Sequence, residues 1–243
     1  MNFARRLDQA ILTVSRPVRN ASLRSLLPRS PWLNERSVEY AFTFSRLAGR
    51  GTGKLLDIGT GKSAFPALVQ LAGWQVVAVD NIVDFWPRGP LNIRWGMFNE
   101  YFPVQDRDIV SSPLTERFDV VTCISTFEHV HDRPALFAAM AQCLKEHGEI
   151  VLTTPYREQG GDLNVYLRPN SDAFGRDIPY ICQVLDRTEL DALCEANCLH
   201  VLDIEYWRFW SGEYWSEGRC FARGERASSD GAHDLACIAI GRR

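Results

Sequence analysis

The chain is 243 residues long, enough for one large domain with an extension and a substantial core. Its 27 basic and 30 acidic side chains leave a net charge of −3, which excludes the basic signature of a general nucleic-acid binder, so no nucleic-acid partner is expected. No apolar run approaches the ~18 residues that a membrane-crossing helix requires, and the 7 cysteines, odd in number and without a Cys-x-x-Cys pair, point to free thiols in a reducing cytoplasm and to no metal site.

Residues 1–34 carry Arg5, Arg6, Arg16, Arg19, Arg24 and Arg29 against the lone acid Asp8. Phe3, Leu7, Ala10, Ile11 and Val14 recur there at helical spacing. The segment reads as a helical extension with solvated arginines, or as a transit peptide or amphipathic helix touching a membrane through residues 1–30. Residues 34–48 are expected to form a helix, with Asn34 as its N-cap and Gly49 just past its end. Residues 1–50 are thus set apart as an extension or lid, and 51–243 as the main domain.

Residues 54–58 form an apolar run broken by Gly59 and Gly61, which reads as a buried strand, a sharp turn and a helix over 63–71. Glycine there permits dihedrals that a Cβ forbids and lets a ligand approach the backbone. The letters Gly-Thr-Gly-Lys-Ser suggest a phosphate loop, but the glycine that motif needs earlier is Leu56, inside the strand. A dinucleotide turn fits the G-x-G-x-x-G/A spacing, with Asp80 placed to hold a ribose hydroxyl. Asp57 argues against it, because a carboxylate faces a pyrophosphate unfavourably and suits a ligand with a cationic end. A second strand over 74–79 delivers Asp80 to the same sheet edge as Asp57. Residues 81–102 read as a long connection, followed by a short strand at 103–105.

The next strong run is Phe118-Asp119-Val120-Val121-Thr122-Cys123-Ile124, ending in Ser125-Thr126-Phe127-Glu128-His129. Its near-continuous apolar centre is what a central parallel strand requires. Asp132 then caps a helix over 135–145 that Gly148 stops, and residues 149–156 form the fifth strand, ending in Thr-Pro-Tyr.

The strand end Leu55-Leu56-Asp57-Ile58-Gly59-Thr60-Gly61, then Asp80, then the Phe-Asp to Glu-His strand, then the Gly-strand-Thr-Pro segment, together resemble the class I S-adenosylmethionine-dependent methyltransferases that act on small molecules. Ser63 stands where that family often has a third glycine. The resemblance covers roughly residues 50–205. It implies an α/β, Rossmann-like, doubly wound sheet of seven strands, mostly parallel with an antiparallel last strand. It implies S-adenosylmethionine as cofactor, held by Asp57 at the tail ammonium, by Gly59, Thr60 and Gly61 at the turn, and by Asp80 with Asn81 at the ribose. Asp108 would accept from the adenine amino group with Ile109 against the base, and Ser125 and Thr126 would complete the site. His129 is a candidate general base or a structural histidine bonded to a backbone carbonyl. Tyr40, Glu128, Pro155 and Tyr156 are candidates for lining the acceptor pocket.

Residues 157–181 read as a substrate-selecting loop. Asp186-Arg187-Thr188-Glu189 opens a helix through residue 195 as a capping box. Strands are expected over 199–205 and 233–240. Between them, residues 206–215 are unusually aromatic and serve as edge cover, a contact in a homodimer, or acceptor lining. The expected reaction is in-line transfer of a methyl group to an O, N or C nucleophile of a small molecule, lipid or sugar intermediate included. An NAD(P)-dependent oxidoreductase and a non-catalytic cofactor-binding regulator are the alternatives.

Overall fold

A computed structural model describes residues 32–61, 63–81, 99, 101–161, 163–178 and 180–242. The expectations for the basic segment 1–31, its membrane contact included, and for most of the connection 82–98 lie outside the described residues. Among those described, no helix is long and apolar enough to cross a membrane.

In chain order the elements are α1 (Trp32–Ala48), β1 (Lys54–Ile58), α2 (Phe65–Leu71), β2 (Gln75–Asp80), β3 (Val104–Asp106), β4 (Phe118–Ile124), α3 (Arg133–Gln142) and β5 (Leu144–Arg157). Then follow β6 (Leu185–Asp186), α4 (Arg187–Ala196), β7 (His200–Trp210), β8 (Cys220–Ala227) and β9 (Leu235–Gly241). The main sheet runs β3-β2-β1-β4-β5-β9-β7-β8, and β6 pairs with β5. Strands β1 to β5 are mutually parallel, while β9 lies antiparallel between β5 and β7. The order reverses between β1 and β4, and open sheets of this kind bind ligands at that reversal, beyond the strands' carboxyl ends.

The central strands are largely apolar because both sheet faces are covered. Successive side chains point to opposite faces, so Leu56, Val121 and Ile150 enter one core with Phe137 and Leu190, while Leu55, Val120 and Val151 enter the other with Phe42 and Phe65. Helix α1 is tied to the amino end of β5 by charge. Glu149 is buried, and its two oxygens accept from Arg46 Nε at 2.7 Å and Arg46 Nη2 at 3.0 Å, with Arg50 Nη2 at 2.8 Å. The other end of α1 therefore reaches the carboxyl edge of the sheet, where Glu39 accepts from Thr153 Oγ1 at 2.8 Å.

The seven expected strands are present, and β6 and β8 are additions. Several boundaries differ from expectation. Helix α1 begins at Trp32, which puts Asn34 inside it rather than at its cap. Helix α2 begins at Phe65, and Ser63 accepts from its first N–H through Oγ at 3.0 Å. Helix α3 stops at Gln142, because Phe118 N donates to Cys143 O at 2.8 Å and Leu144 already pairs with Phe118. Strand β7 continues to Trp210 and takes in the first half of the aromatic segment.

Candidate active site

The turn after β1 is shaped by close approach. Gly59 sits at φ +73°, and a Cβ there would lie 2.1 Å from Thr126 Cγ2, so glycine alone fits. Thr126 packs this tightly because its Oγ1 donates to Gly59 O at 3.2 Å, tying the β1 turn to the end of β4. Gly61, at φ +53°, differs: a Cβ there meets nothing closer than Asp80 Oδ2 at 4.0 Å, so its outer side is open space. Its N–H donates to Asp80 Oδ2 at 2.7 Å. Tyr40 and Ser63 close the turn from α1 with a 2.7 Å hydroxyl contact.

A cavity of about 480 Å³ opens beside this turn, within the range typical of small-molecule sites. It runs along the carboxyl edge from Arg107 and Asp108 after β3 to Pro155 at the end of β5 and Leu235 on β9. Of the residues anticipated from sequence, Tyr40, Gly59, Thr60, Gly61, Asp80, Asn81, Asp108, Ile109, Ser125, Thr126, Glu128, His129 and Pro155 line it. Two do not. Asp57 lines a second cavity, of about 30 Å³, whose wall shares Arg36, Tyr40, Gly59, Thr60 and Ser63 with the first. Tyr156 corrects the expectation outright. It is fully buried on the opposite sheet face, stacked on His233 with centroids 5.8 Å apart, because its position alternates with that of Pro155.

Asp57 stands opposite Thr122 in the β1–β4 register. Its Oδ1 accepts from Thr122 Oγ1 and its Oδ2 from Thr60 Oγ1, both at 2.7 Å. Burial nevertheless raises its carboxyl to about 6 against those hydrogen bonds. Asp108 holds the turn after β3, where Val110 N donates to its Oδ1 at 2.9 Å and Ser111 Oγ to its Oδ2 at 3.1 Å.

The other half of the cavity is built from α1, the end of β4 and two loops. Ser125 sits in the left-handed region at φ 43°, and its hydroxyl donates to Glu39. Glu39 also accepts from Arg36 Nη1 at 2.9 Å. Trp215 Nε1 donates to Glu35 Oε1. Burial pushes the Glu128 carboxyl up to about 8, with Glu39 adding to the rise. His129 Nδ1 lies 2.6 Å from Ile181 O. A carbonyl only accepts, so the ring proton sits on Nδ1 and Nε2 carries the lone pair. Burial lowers this imidazole to about 4, which keeps it neutral at physiological pH. The bond to Ile181 O matches the structural reading of His129, whose ring also lines the cavity.

Glu35, Arg36, Ser63, Arg107, Tyr180 and Trp215 line the cavity without having been singled out as site residues. The signal for Glu35 was present in α1. Glu35, Glu39 and Thr43 recur four apart and are all buried, a polar stripe where an amphipathic helix should be apolar. Trp215 comes from the aromatic segment, whose Phe209, Trp210 and Tyr214 are spent in the chain's own core.

The methyltransferase domain family matches residues 32–203. A ubiquinone biosynthesis O-methyltransferase of Xanthomonas euvesicatoria pv. vesicatoria (strain 85-10) is 30% identical over 122 residues, covering 50% of this chain and 50% of that protein. The enzyme of the same name from Pseudomonas syringae pv. tomato is 28% identical over 132 residues, 52% of this chain and 50% of that one. The chain thus spans about half the length of the curated relatives it matches. Among solved structures, the Burkholderia thailandensis 1,6-didemethyltoxoflavin-N1-methyltransferase, with bound 1,6-didemethyltoxoflavin and S-adenosylhomocysteine, superposes with a TM-score of 0.56 at 17% identity. The superposition covers 99% of this chain and 89% of that one. An S-adenosylmethionine-dependent methyltransferase from Archaeoglobus fulgidus gives 0.55 at 18% identity, covering 90% and 97%. At these identities the superpositions show a shared fold.

Proposed function

The chain belongs to the methyltransferase domain family, and on that premise we propose that it moves a methyl group from S-adenosylmethionine to a nucleophilic atom of a small molecule. One observation carries the cofactor assignment. The buried carboxylates of Asp57 and Asp80 end adjacent parallel strands around a glycine turn whose outer side is open at Gly61. That pair of acceptors suits a ligand with ribose hydroxyls and a cationic tail, and offers no cradle for a pyrophosphate.

In this reading Asp80 and Asn81 hold the ribose, and Ile58, Val79 and Ile109 give apolar walls for the base. Asp57 balances the tail ammonium, with Thr60 fixing its carboxylate, and Arg36 faces the tail carboxylate. The bound cofactor supplies a methyl group already activated on a sulfonium. The chain's main contribution is therefore proximity and orientation. Ser125 and Thr126 set the end of β4 beside the transfer point, with buried Glu128 and half-buried His129 on the cavity wall next to it. His129 Nε2 accepts a proton where the nucleophile must lose one.

Isothermal titration with S-adenosylmethionine tests the reading, with NAD(H) as the competing ligand. Binding of the first and not the second is expected. Gly61→Arg should abolish it by filling the open side of the turn. Asp80→Ala should weaken it about tenfold to hundredfold, the cost of hydrogen bonds to a charged group. Unchanged affinity in both variants would overturn the assignment. Formation of S-adenosylhomocysteine over a panel of acceptors separates an enzyme from a protein that only binds.

A further inference from the structure

Resting on that reading, we propose that the methyl acceptor is an amine carried on a flat aromatic body, its nitrogen received by Glu35 and Glu128. Tyr180, Trp215, Glu35 and Glu128 all line the cavity. Both carboxylates are at least nine-tenths buried, at 5% and 4% exposure. Neither is saturated. Glu35 Oε1 accepts from Trp215 Nε1, and among the described residues no donor reaches Glu35 Oε2. Glu128 accepts from its own backbone N–H and, at 3.4 Å, from Thr154 Oγ1, and His129 Nε2 stands 3.9 Å from its Oε1. The cation on this wall, Arg36, is already paired with Glu39 at 2.9 Å.

In their ionised form, which a neighbouring cation favours, these carboxylates have acceptor capacity left over. An ammonium or amine brings the missing N–H groups, whereas a phenolate or carboxylate acceptor would meet Glu35, Glu39 and Glu128 with its own negative charge. The aromatic walls suit the same ligand, since ring faces attract cations and stack on flat bodies. Tyr180 packs on His129, with centroids 4.7 Å apart, and Trp215 on Trp210 at 6.0 Å, so each ring has a packed neighbour.

The step balances. The ammonium's charge draws the buried Glu128 carboxyl to its ionised form, and that carboxylate then takes one proton from it, leaving a neutral amine. Its lone pair forms the N–C bond as the S–C bond breaks, and that bond's electron pair stays on sulfur as a neutral sulfide. The positive charge passes from sulfur to the methylated nitrogen, which is again an ammonium beside the two acids.

The test is binding to the full chain saturated with S-adenosylhomocysteine, using tryptamine, tryptophol and indole-3-propionate as probes of one shape and three charges. Tryptamine is expected to bind at least about tenfold more tightly than either of the others, as a hydrogen-bonded charge should. That preference should shrink to about twofold or less in Glu128→Gln and in Glu35→Gln, whose amides keep the bonds to Thr154 and Trp215. Thermal melts and S-adenosylhomocysteine affinity establish that each variant is folded. Equal binding of the three probes, a preference for tryptophol or the propionate, binding of none of them, or a preference indifferent to both variants would each overturn the proposal. Failure to bind S-adenosylhomocysteine at all would instead overturn the cofactor assignment.

Discussion

At the residue scale, the acids around the cavity tie stability to pH. Glu128 is pushed up to about 8 by burial first, with Glu39 adding to it, against its own backbone N–H, Arg36 and Thr154. Asp234, buried behind the aromatic segment, rises to about 7 for the same leading reason, although Trp210 N and Phe209 N donate to it. In an unfolded chain both groups titrate near ~4. The folded chain therefore holds more protons than the unfolded one, and its stability falls as pH rises through each folded value. His129, lowered to about 4, works oppositely, but its contribution is complete once pH exceeds the ordinary imidazole value. The clean window lies between about pH 6.5 and about pH 8, where urea unfolding of the ligand-free protein should show a loss of order 1–2 kcal/mol. Glu128→Gln should flatten most of that slope. A stability that stays level or climbs across the window in the parent chain would contradict the burial argument. The same residues mark what a sequence discloses. Gly59 was legible because a turn with a missing Cβ is local chemistry, and Tyr156 was misplaced because which face a strand residue takes depends on the register of its neighbours.

At the element scale, local signals worked where the partner is close in sequence. Asp132 Oδ1 accepts from Ala135 N at 2.9 Å and Asp186 Oδ1 from Glu189 N at 2.9 Å, so both helix starts followed from their capping letters. Asp132→Ala should cost about 1 kcal/mol, which for a chain of this size lowers the melting temperature by roughly 2–4 °C. Calorimetry that shows no change would mean the cap contributes nothing. Asp132 also lines the cavity rim, so the same variant reports whether α3's first turn matters for ligand affinity. Long-range pairing was less legible. Strand β8 shows no apolar alternation, because it is an edge with one paired side and half-exposed residues throughout. The amino end of β5, residues 145–148, reads as a polar helix end, but it is an irregularity in the ladder between the pairs Phe118–Leu144 and Val120–Glu149. The clamp of Arg46 and Arg50 on Glu149 likewise spans about a hundred residues of sequence, and no local pattern announces it.

At the scale of the whole molecule, the fold brings Asp57 and Asp80 to neighbouring strand ends and then buries both, at 3% and 6% exposure. That arrangement was legible as a pair of acids at matched strand ends; that Asp57 would be shut behind Thr60 and Thr122 was not, since Thr122 arrives from β4 through register alone. The consequence is a cofactor site with its own titration. Burial lifts Asp57 to about 6, so below that value its carboxyl is increasingly protonated and cannot balance a ligand ammonium. A cation bound nearby favours the ionised form, and by linkage its affinity must rise as pH climbs through the same range. At a ligand concentration of about a hundred times the dissociation constant, binding adds roughly 2.7 kcal/mol to stability, a rise in melting temperature of roughly 5–10 °C for this chain length. Because the ligand-free chain has its own pH slope, the quantity to follow is the ligand-induced shift at each pH. It should be several degrees larger near about pH 7 than near about pH 5, the two sides of the Asp57 titration. Asp57→Asn keeps hydrogen-bonding capacity toward Thr60 and Thr122 and removes the charge, so it should leave a smaller shift that no longer varies with pH. A shift in the parent chain that is constant across that range, or a pH dependence that survives in Asp57→Asn, would place the charge recognition on Asp80 or elsewhere in the cavity and detach Asp57 from the ligand.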